Sequence, residues 1–151
     1  MKSKSSGISG SCLCGAIRFE IDTPPICINN CHCSQCRKAS GAAFGSFLHT
    51  RIKNFKWISG QDLLTEYRSG SGGARPFCGK CGSRVPVVNE DENHVIVPAG
   101  TLDGDPGAKT TANIHMGSKA PWYDAGDGPS SYDEDAPDVF WNSLIEAFDK
   151  R

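Results

Sequence analysis

Hydrophobic and polar residues alternate along several short stretches of the chain. The clearest stretch is Ala16–Asp22, AIRFEID, which follows a glycine. Similar stretches, separated by Gly, Asn, Asp and Ser, are FGSFLHT, FKWISG, LLTEYRS, SRVPVVN and HVIVPAG. Alternation with a period of two is typical of strands that bury one face. Many short strands divided by turn residues predict a mainly β fold of small antiparallel sheets.

One helix is predicted, at the C-terminal end. Its apolar residues lie on one face at helical spacing and are Phe140, Trp141, Leu144, Ile145 and Phe148. Asp135 is the expected N-cap and Pro137 the expected first-turn residue. We expect this helix to pack on a sheet.

A segment rich in Gly, Pro, Asp and Ser, SKAPWYDAGDGPSSYDEDAPD, precedes this helix. Its composition predicts a solvated loop. Trp122 and Tyr123 are expected to hold one end of the loop against the rest of the protein.

Length and charge narrow the class of protein. A chain of 151 residues fits one domain. The formal net charge of −1 excludes a large basic surface, so neither nucleic acid nor a membrane is expected as a partner. The start, MKSKSSGISGS, lacks the apolar core of a signal peptide. We therefore predict a flexible N-terminus at 1–10, a single domain at 11–151 and a cytoplasmic location.

The eight cysteines are clustered in SCLCG, CHCSQC and FCGKCG, with Cys27 apart from these groups. Cysteines one residue apart are poorly placed to form a disulfide with each other, but can direct two thiolates at one metal ion. The pattern therefore favours metal binding over disulfides.

The stretch FCGKCG has the form of a zinc knuckle with Cys78 and Cys81 as ligands. Gly82 would adopt the backbone angles that a side chain resists. A closed structural zinc site needs four ligands. Cys12 and Cys14 are the preferred second pair, with the central cluster as the alternative.

Cys31, Cys33 and Cys36 then remain for a second ion. Three thiolates that leave one coordination position open are typical of a catalytic zinc site, here expected to be the more labile of two. The alternatives are a closed site with Cys27 as fourth ligand, or a thioredoxin-like redox pair, for which the βαβ context is absent.

Other polar residues near the cysteines have less specific interpretations. His32 is expected to face solvent or to contact the metal site indirectly, while His49, His94 and His115 are expected to be ordinary packed or surface histidines. Arg37 and Lys38 follow Cys36 directly. They form a solvated basic pair or, in a binding site, would attract a ligand that carries carboxylates.

The order of CLCG, CHCSQCRK, FCGKCGS and GSKAPWYD resembles the glutathione-dependent formaldehyde-activating enzyme family, which also includes centromere protein V. The resemblance implies a β-tent fold with two zinc ions. It implies a structural zinc on Cys12, Cys14, Cys78 and Cys81, and a second zinc on Cys31, Cys33 and Cys36. It also implies condensation of formaldehyde with glutathione to S-hydroxymethylglutathione, formally a carbon-sulfur lyase activity.

Two functions are therefore compared. The first is a zinc-dependent lyase acting on glutathione, or a similar thiol, and a small aldehyde, with Cys31, Cys33 and Cys36 as the catalytic residues and Arg37 and Lys38 binding the thiol. The second is a zinc-binding structural or interaction module without catalysis. The three cysteines of CHCSQC favour the first, while Cys27 favours the second.

Overall fold

The computed structural model describes residues 7–70 and 73–151. The chain divides into two compact units, Met1–Pro25 with His49–Gly107 and Ile26–Leu48 with Ala108–Arg151. Each unit is described by itself. Residues 1–6, most of the predicted flexible start, lie outside the described residues.

The strands of the described residues, numbered along the chain, are β1 Gly7–Ser11, β2 Arg18–Asp22, β3 Cys27–Cys31, β4 Gly45–Thr50, β5 Phe55–Ser59, β6 Leu64–Arg68, β7 Ala74–Cys78, β8 Val87–Asn89, β9 His94–Pro98, β10 Thr110–Ile114 and β11 Ser130–Ser131. The α-helices are α1 Ser34–Ser40 and α2 Asp138–Asp149. Short 3-10 turns occur at Ile52–Asn54, Gln61–Leu63, Ala99–Thr101 and Met116–Ser118. A mainly β fold of small sheets with a C-terminal helix is thus confirmed.

Strand β1 begins earlier than the predicted domain boundary. Gly7 pairs with Asp22 and Ser11 with Arg18 in an antiparallel ladder. The residues from 7 to 10 are therefore held in a sheet, contrary to the flexible start predicted for them. The single domain at 11–151 stays a prediction.

The first unit is built from antiparallel pairs. β1, β2 and β5 form a three-stranded sheet in that order, while β6 pairs with β7 and β8 with β9. Alternation in β2 places Phe19 and Ile21 in the core, each 1% exposed. A second cluster packs Ile17 and Val85 against Cys12 and Cys78. The core of this unit therefore surrounds two cysteines that come from distant parts of the sequence.

The second unit contains parallel pairing, which the sequence did not predict. Its strand order is β11, β10, β3, β4, and β10 pairs in parallel with both β3 and β11. Adjacent strands joined by a tight turn must be antiparallel, whereas a long connection allows parallel pairing. The chain between β3 and β10 includes all of His49–Gly107. An entirely antiparallel fold was therefore a wrong expectation.

Helix α2 packs as predicted but begins differently. Phe148 is buried with Ile26 and Cys27, and Trp141, Leu144 and Ile145 pack against this cluster. The residue before the helix is Pro137 and provides no side-chain cap. Asp135, the predicted N-cap, instead accepts hydrogen bonds from the indole of Trp141 at 3.0 Å and the backbone N–H of Ala136 at 2.7 Å.

The predicted loop before α2 is largely exposed, and it contains the short strand β11. Trp122 is 72% exposed, so its predicted anchoring role is wrong. Tyr123 does pack inward, against Phe44 and His32. None of the helices in the described ranges has the length and apolar character needed to cross a bilayer.

Candidate metal centres

Four cysteines of the first unit form one compact group. The sulfur atoms of Cys12, Cys14, Cys78 and Cys81 all lie within 4.8 Å of one another. The Cys12 and Cys14 sulfurs are 3.5 Å apart, and those of Cys14 and Cys78 are 3.9 Å apart. A tetrahedral zinc with bonds of ~2.3 Å to sulfur separates its ligands by roughly 3.8 Å. The four-cysteine set therefore fits a closed zinc site.

Two glycine-containing turns present these sulfurs. Gly82 follows Cys81 with φ +77, and its N–H donates to the carbonyl of Cys78 at 2.8 Å. Gly15 follows Cys14, also with φ +77, and its N–H donates to the carbonyl of Cys12 at 2.9 Å. Positive φ is readily adopted by glycine and resisted by other residues. The turn geometry predicted for Gly82 is therefore present, and Gly15 repeats it.

Hydrogen bonds favour ionised sulfur at two members of this group, Cys81 and Cys12. At Cys14 the backbone N–H of Ala16 also favours ionisation, but burial and the neighbouring thiols raise the pKa to about 11. The hydroxyl and backbone N–H of Ser83 lower the pKa of Cys81 to about 5. For Cys12, burial opposes ionisation, but the backbone N–H of Ile17, 3.3 Å from the sulfur, and the neighbouring thiols lower its pKa overall. Thiolates are the form that binds zinc.

The second group contains three cysteines. The sulfur atoms of Cys31, Cys33 and Cys36 lie within 4.8 Å of one another. Cys31 ends β3, while Cys33 is the N-cap of α1 and its sulfur accepts from the N–H of Cys36 at 3.3 Å. Helix α1 was not predicted. It places the third sulfur beside the first two and ends at Gly41, with φ +61.

The three thiols of this group need a bound cation to ionise fully. The neighbouring Cys36 thiol, together with burial, raises the pKa of Cys31. Among the described residues, no His, Asp, Glu or further Cys joins the three sulfurs in the group. Three soft donors without a fourth protein ligand fit a zinc ion with an open position.

Cys27 lies outside both groups. It is buried in an apolar cluster with Ile26 and Phe148. Burial raises the pKa of its thiol to about 12. Cys27 therefore has the environment of a small apolar residue, and the closed site that includes it is not formed.

His32, expected to face solvent or to contact the metal site indirectly, is completely buried, so the first of these alternatives is wrong. The carboxamide oxygen of Asn113 accepts from Asn30 Nδ2 at 3.1 Å and lies 3.4 Å from His32 Nε2. An oxygen that faces Nε2 makes this nitrogen the donor, so Nδ1 carries the lone pair. Nδ1 is buried and lacks a hydrogen-bond partner within the part of the chain that the structure describes. The Ser46 hydroxyl extends this series of hydrogen bonds, because it donates to the carboxamide oxygen of Asn30 at 2.8 Å.

Aromatic rings pack beside His32. The ring centroid of Phe44 is 4.8 Å from that of His32, and the Tyr123 centroid is 5.8 Å away. Phe44 and Tyr123 also contact each other, at 5.5 Å. No sequence pattern indicated a role for Phe44 at this site, whereas Tyr123 lies in the GSKAPWYD stretch noted above.

The two predicted thiol-binding cations differ in environment. Arg37 is half-buried, while Lys38 is exposed.

The other histidines were expected to be ordinary packed or surface residues. His49 and His94 do pack, against each other, with ring centroids 5.0 Å apart. His115 precedes the turn Met116–Ser118 with φ 55.

Comparisons with known proteins agree with this arrangement. Residues 7–118 match the family model described as glutathione-dependent formaldehyde-activating enzyme. A protein of Halomonas elongata named "Putative glutathione-dependent formaldehyde-activating enzyme" is 28% identical over 123 residues, covering 76% of this chain and 78% of that protein. The fold is similar to a crystal structure of a Rhodobacter sphaeroides protein, with a TM-score of 0.54 at 24% identity, over 65% of this chain and 90% of that chain. Because the family model spans most of the described residues, the chain belongs to the glutathione-dependent formaldehyde-activating enzyme family.

Proposed function

We propose that this protein is a zinc-dependent enzyme that joins a thiol, with glutathione as the leading candidate, to formaldehyde or a related small aldehyde. The product from glutathione and formaldehyde is S-hydroxymethylglutathione, and the reaction is formally that of a carbon-sulfur lyase. The observation that carries the proposal is the group of three cysteines in a chain of this family, without a fourth protein donor among the described residues. We keep the predicted cytoplasmic location as part of the proposal.

The residues of the two groups would have different tasks. Cys12, Cys14, Cys78 and Cys81 would hold a structural zinc, because they enclose a tetrahedral site. Cys31, Cys33 and Cys36 would hold the second zinc beside the substrate. When bound there, zinc would supply positive charge that stabilises a substrate thiolate. Cys31 and Cys36 are buried, whereas Cys33 is half-buried and is the most accessible of the three.

The chemistry is one bond-forming step. The sulfur of the thiol supplies an electron pair to the aldehyde carbon, and a carbon-sulfur bond forms as the π pair of the C=O bond moves to oxygen. That oxygen gains a proton, and the thiol loses one, so the overall reaction releases no proton. A free thiol with a pKa near ~8.5 is only a few per cent ionised at neutral pH. Positioning and ionising the thiol are therefore the main contributions expected from the site.

The surrounding side chains would orient the thiol and limit water. Phe44 and Tyr123 pack on the buried ring of His32, which lies between Cys31 and Cys33 in the sequence. Of the two cations predicted from the sequence to attract the carboxylates of glutathione, Arg37 is half-buried and is the better placed, whereas Lys38 is exposed.

Adduct formation from 13C-formaldehyde and glutathione, followed by exchange NMR, tests the proposal. The condensation also proceeds unaided, so the rate in buffer is the reference. The rate with wild-type protein should exceed the rate in buffer. The rate with Cys33→Ser should equal the rate in buffer, and the rate with Cys27→Ala should equal that of wild type. If wild type gives the same rate as buffer, this reaction is excluded and a non-catalytic zinc module becomes the better interpretation.

A further inference from the structure

Two cations of the second unit have no carboxylate partner within residues 7–70 and 73–151. Arg37 Nε is buried without a hydrogen-bond partner there. Lys119 is half-buried, and its ammonium group donates to the carbonyls of Tyr123 at 2.9 Å and Ala120 at 3.4 Å. An ammonium group has three N–H donors, so one of them remains available.

Unpaired cations with restricted access to water are costly for a fold. Desolvation removes part of their hydration, and a neighbouring carboxylate normally compensates for it. The chain has 17 acidic residues, and surface pairs such as Lys56 with Glu20 do form. Within the described residues Arg37 and Lys119 have no such partner, so a bound carboxylate would supply the missing counter-charge.

Each cation is connected by a hydrogen bond or by ring packing to the segment 31–36, which carries the three cysteines. Arg37 follows Cys36 in α1, and its backbone N–H donates to the carbonyl of Cys33 at 3.0 Å. The ammonium group of Lys119 donates to the carbonyl of Tyr123, and the Tyr123 ring packs on the ring of His32. In the sequence, His32 lies between Cys31 and Cys33. These contacts place both residues next to the segment that carries the three cysteines.

We propose that Arg37 and Lys119 form the binding site for a carboxylate of the thiol substrate, and that Lys38 has no part in it. This inference rests on the proposed function and narrows its substrate class to thiols that carry a carboxylate. The planar guanidinium suits a carboxylate geometrically, while the ammonium, fixed by two carbonyls, acts as a point charge. Lys38 is exposed, so an ion pair made by its side chain would contribute little to binding.

The test is calorimetric binding of S-methylglutathione to the zinc-loaded protein. This ligand keeps both carboxylates but has no thiol hydrogen, so binding is measured without turnover. Charge-assisted hydrogen bonds contribute roughly 10- to 100-fold in affinity. Lys119→Gln and Arg37→Gln should each weaken binding by about that factor, with unchanged zinc content. The matched control Lys38→Gln should stay within about twofold of wild type.

A change in the ligand tests the same site without any variant. The diethyl ester of S-methylglutathione should bind wild-type protein at least about tenfold more weakly than the free acid. Equal binding of ester and acid, equal affinity in Lys119→Gln and wild type, or no measurable binding of the acid would each overturn the inference. Lys119-dependent binding without catalysed adduct formation would remove the proposed function and leave the carboxylate site. Catalysed adduct formation that does not depend on Arg37 and Lys119 would overturn the carboxylate site and leave the proposed function standing.

Discussion

Nδ1 of His49 and Nε2 of His94 are 2.8 Å apart in the first unit. One hydrogen between two ring nitrogens requires that one of them accept, so the two rings cannot both be imidazolium in this geometry. Burial, followed by repulsion from His94, lowers the pKa of His49 to about 3. Burial also lowers the pKa of His94. Both rings are therefore neutral near pH 7.

This pair predicts loss of stability in mild acid. Below about pH 6.5 the unfolded chain binds a proton at His49, whereas the folded chain does not until about pH 3. The free energy of unfolding should therefore fall by ~1.4 kcal/mol per pH unit from this residue, or about 2 kcal/mol between pH 6.5 and 5. Urea denaturation of the zinc-loaded protein at both pH values measures it.

A variant separates this effect from acid release of zinc. His49→Gln should be less stable than wild type at pH 7 but should lose less stability on acidification. An identical pH dependence in wild type and His49→Gln would show that the histidine pair does not contribute.

The two cysteine groups predict two zinc ions of unequal lability. Four thiolates enclose the first ion, whereas three thiolates leave the second ion open to a competing ligand. Metal analysis during graded chelation should show one ion lost early and one retained until unfolding. A single ion per chain, or two lost together, would contradict the assignment of the groups.

Replacing one ligand in each group should have different consequences. Structural zinc supplies ~10–16 kcal/mol of apparent binding energy, as much as the ~5–15 kcal/mol that stabilises a typical domain. Cys78→Ser should therefore abolish soluble folding, since Cys78 is fully buried in the core cluster of its unit. Cys33→Ser should leave a folded protein with less zinc. Circular dichroism and metal content distinguish the two results.

Cys27→Ala should keep both zinc ions. The residue packs with Ile26 and Phe148, so its loss should cost about 1 kcal/mol of stability through a small cavity. Chemical denaturation and metal analysis of the variant check both parts. Loss of one zinc ion would show that Cys27 binds metal and would favour the structural module.

The cysteine groups and six strands could be predicted because their signals are local. CLCG and FCGKCG each specify a turn that directs two sulfurs together, and β2 shows its buried face in Phe19 and Ile21. Helix α1 has no apolar stripe, since Cys36 is its only buried residue. Its N-terminus is capped by Cys33, and this capping does not affect hydrophobic periodicity.

The environment of His32 could not be predicted for a different reason. Its partner Asn113 is 81 positions away and is brought close by the parallel pairing of β3 with β10. A CHC stretch alone predicts a side chain that points away from the shared metal. It does not indicate whether water or another strand lies on that side. Long-range topology, which local patterns do not determine, therefore decides the burial of this histidine.

The buried hydrogen bonds around Asn113 predict coupled losses of stability. Asn113→Leu has similar volume but removes the oxygen that faces Asn30 and His32, so two donors lose their acceptor. An unsatisfied buried donor costs ~1–3 kcal/mol. Asn30→Leu should also destabilise, because it removes the partner of Ser46 as well as that of Asn113. The double variant should be destabilised by less than the sum of the two single changes.

A double-mutant cycle measured by urea denaturation should give a coupling energy of about 0.5–3 kcal/mol. Asn89→Leu paired with Asn113→Leu is the matched control, since Asn89 is in β8 of the first unit, and its effect should be additive. Zinc content should be measured in each variant, because His32 lies between two candidate ligands. Additive losses for Asn30 and Asn113 would mean that their side chains do not share a hydrogen bond in solution. The Nε2–H tautomer of His32, which depends on that shared oxygen, would then lose its structural basis.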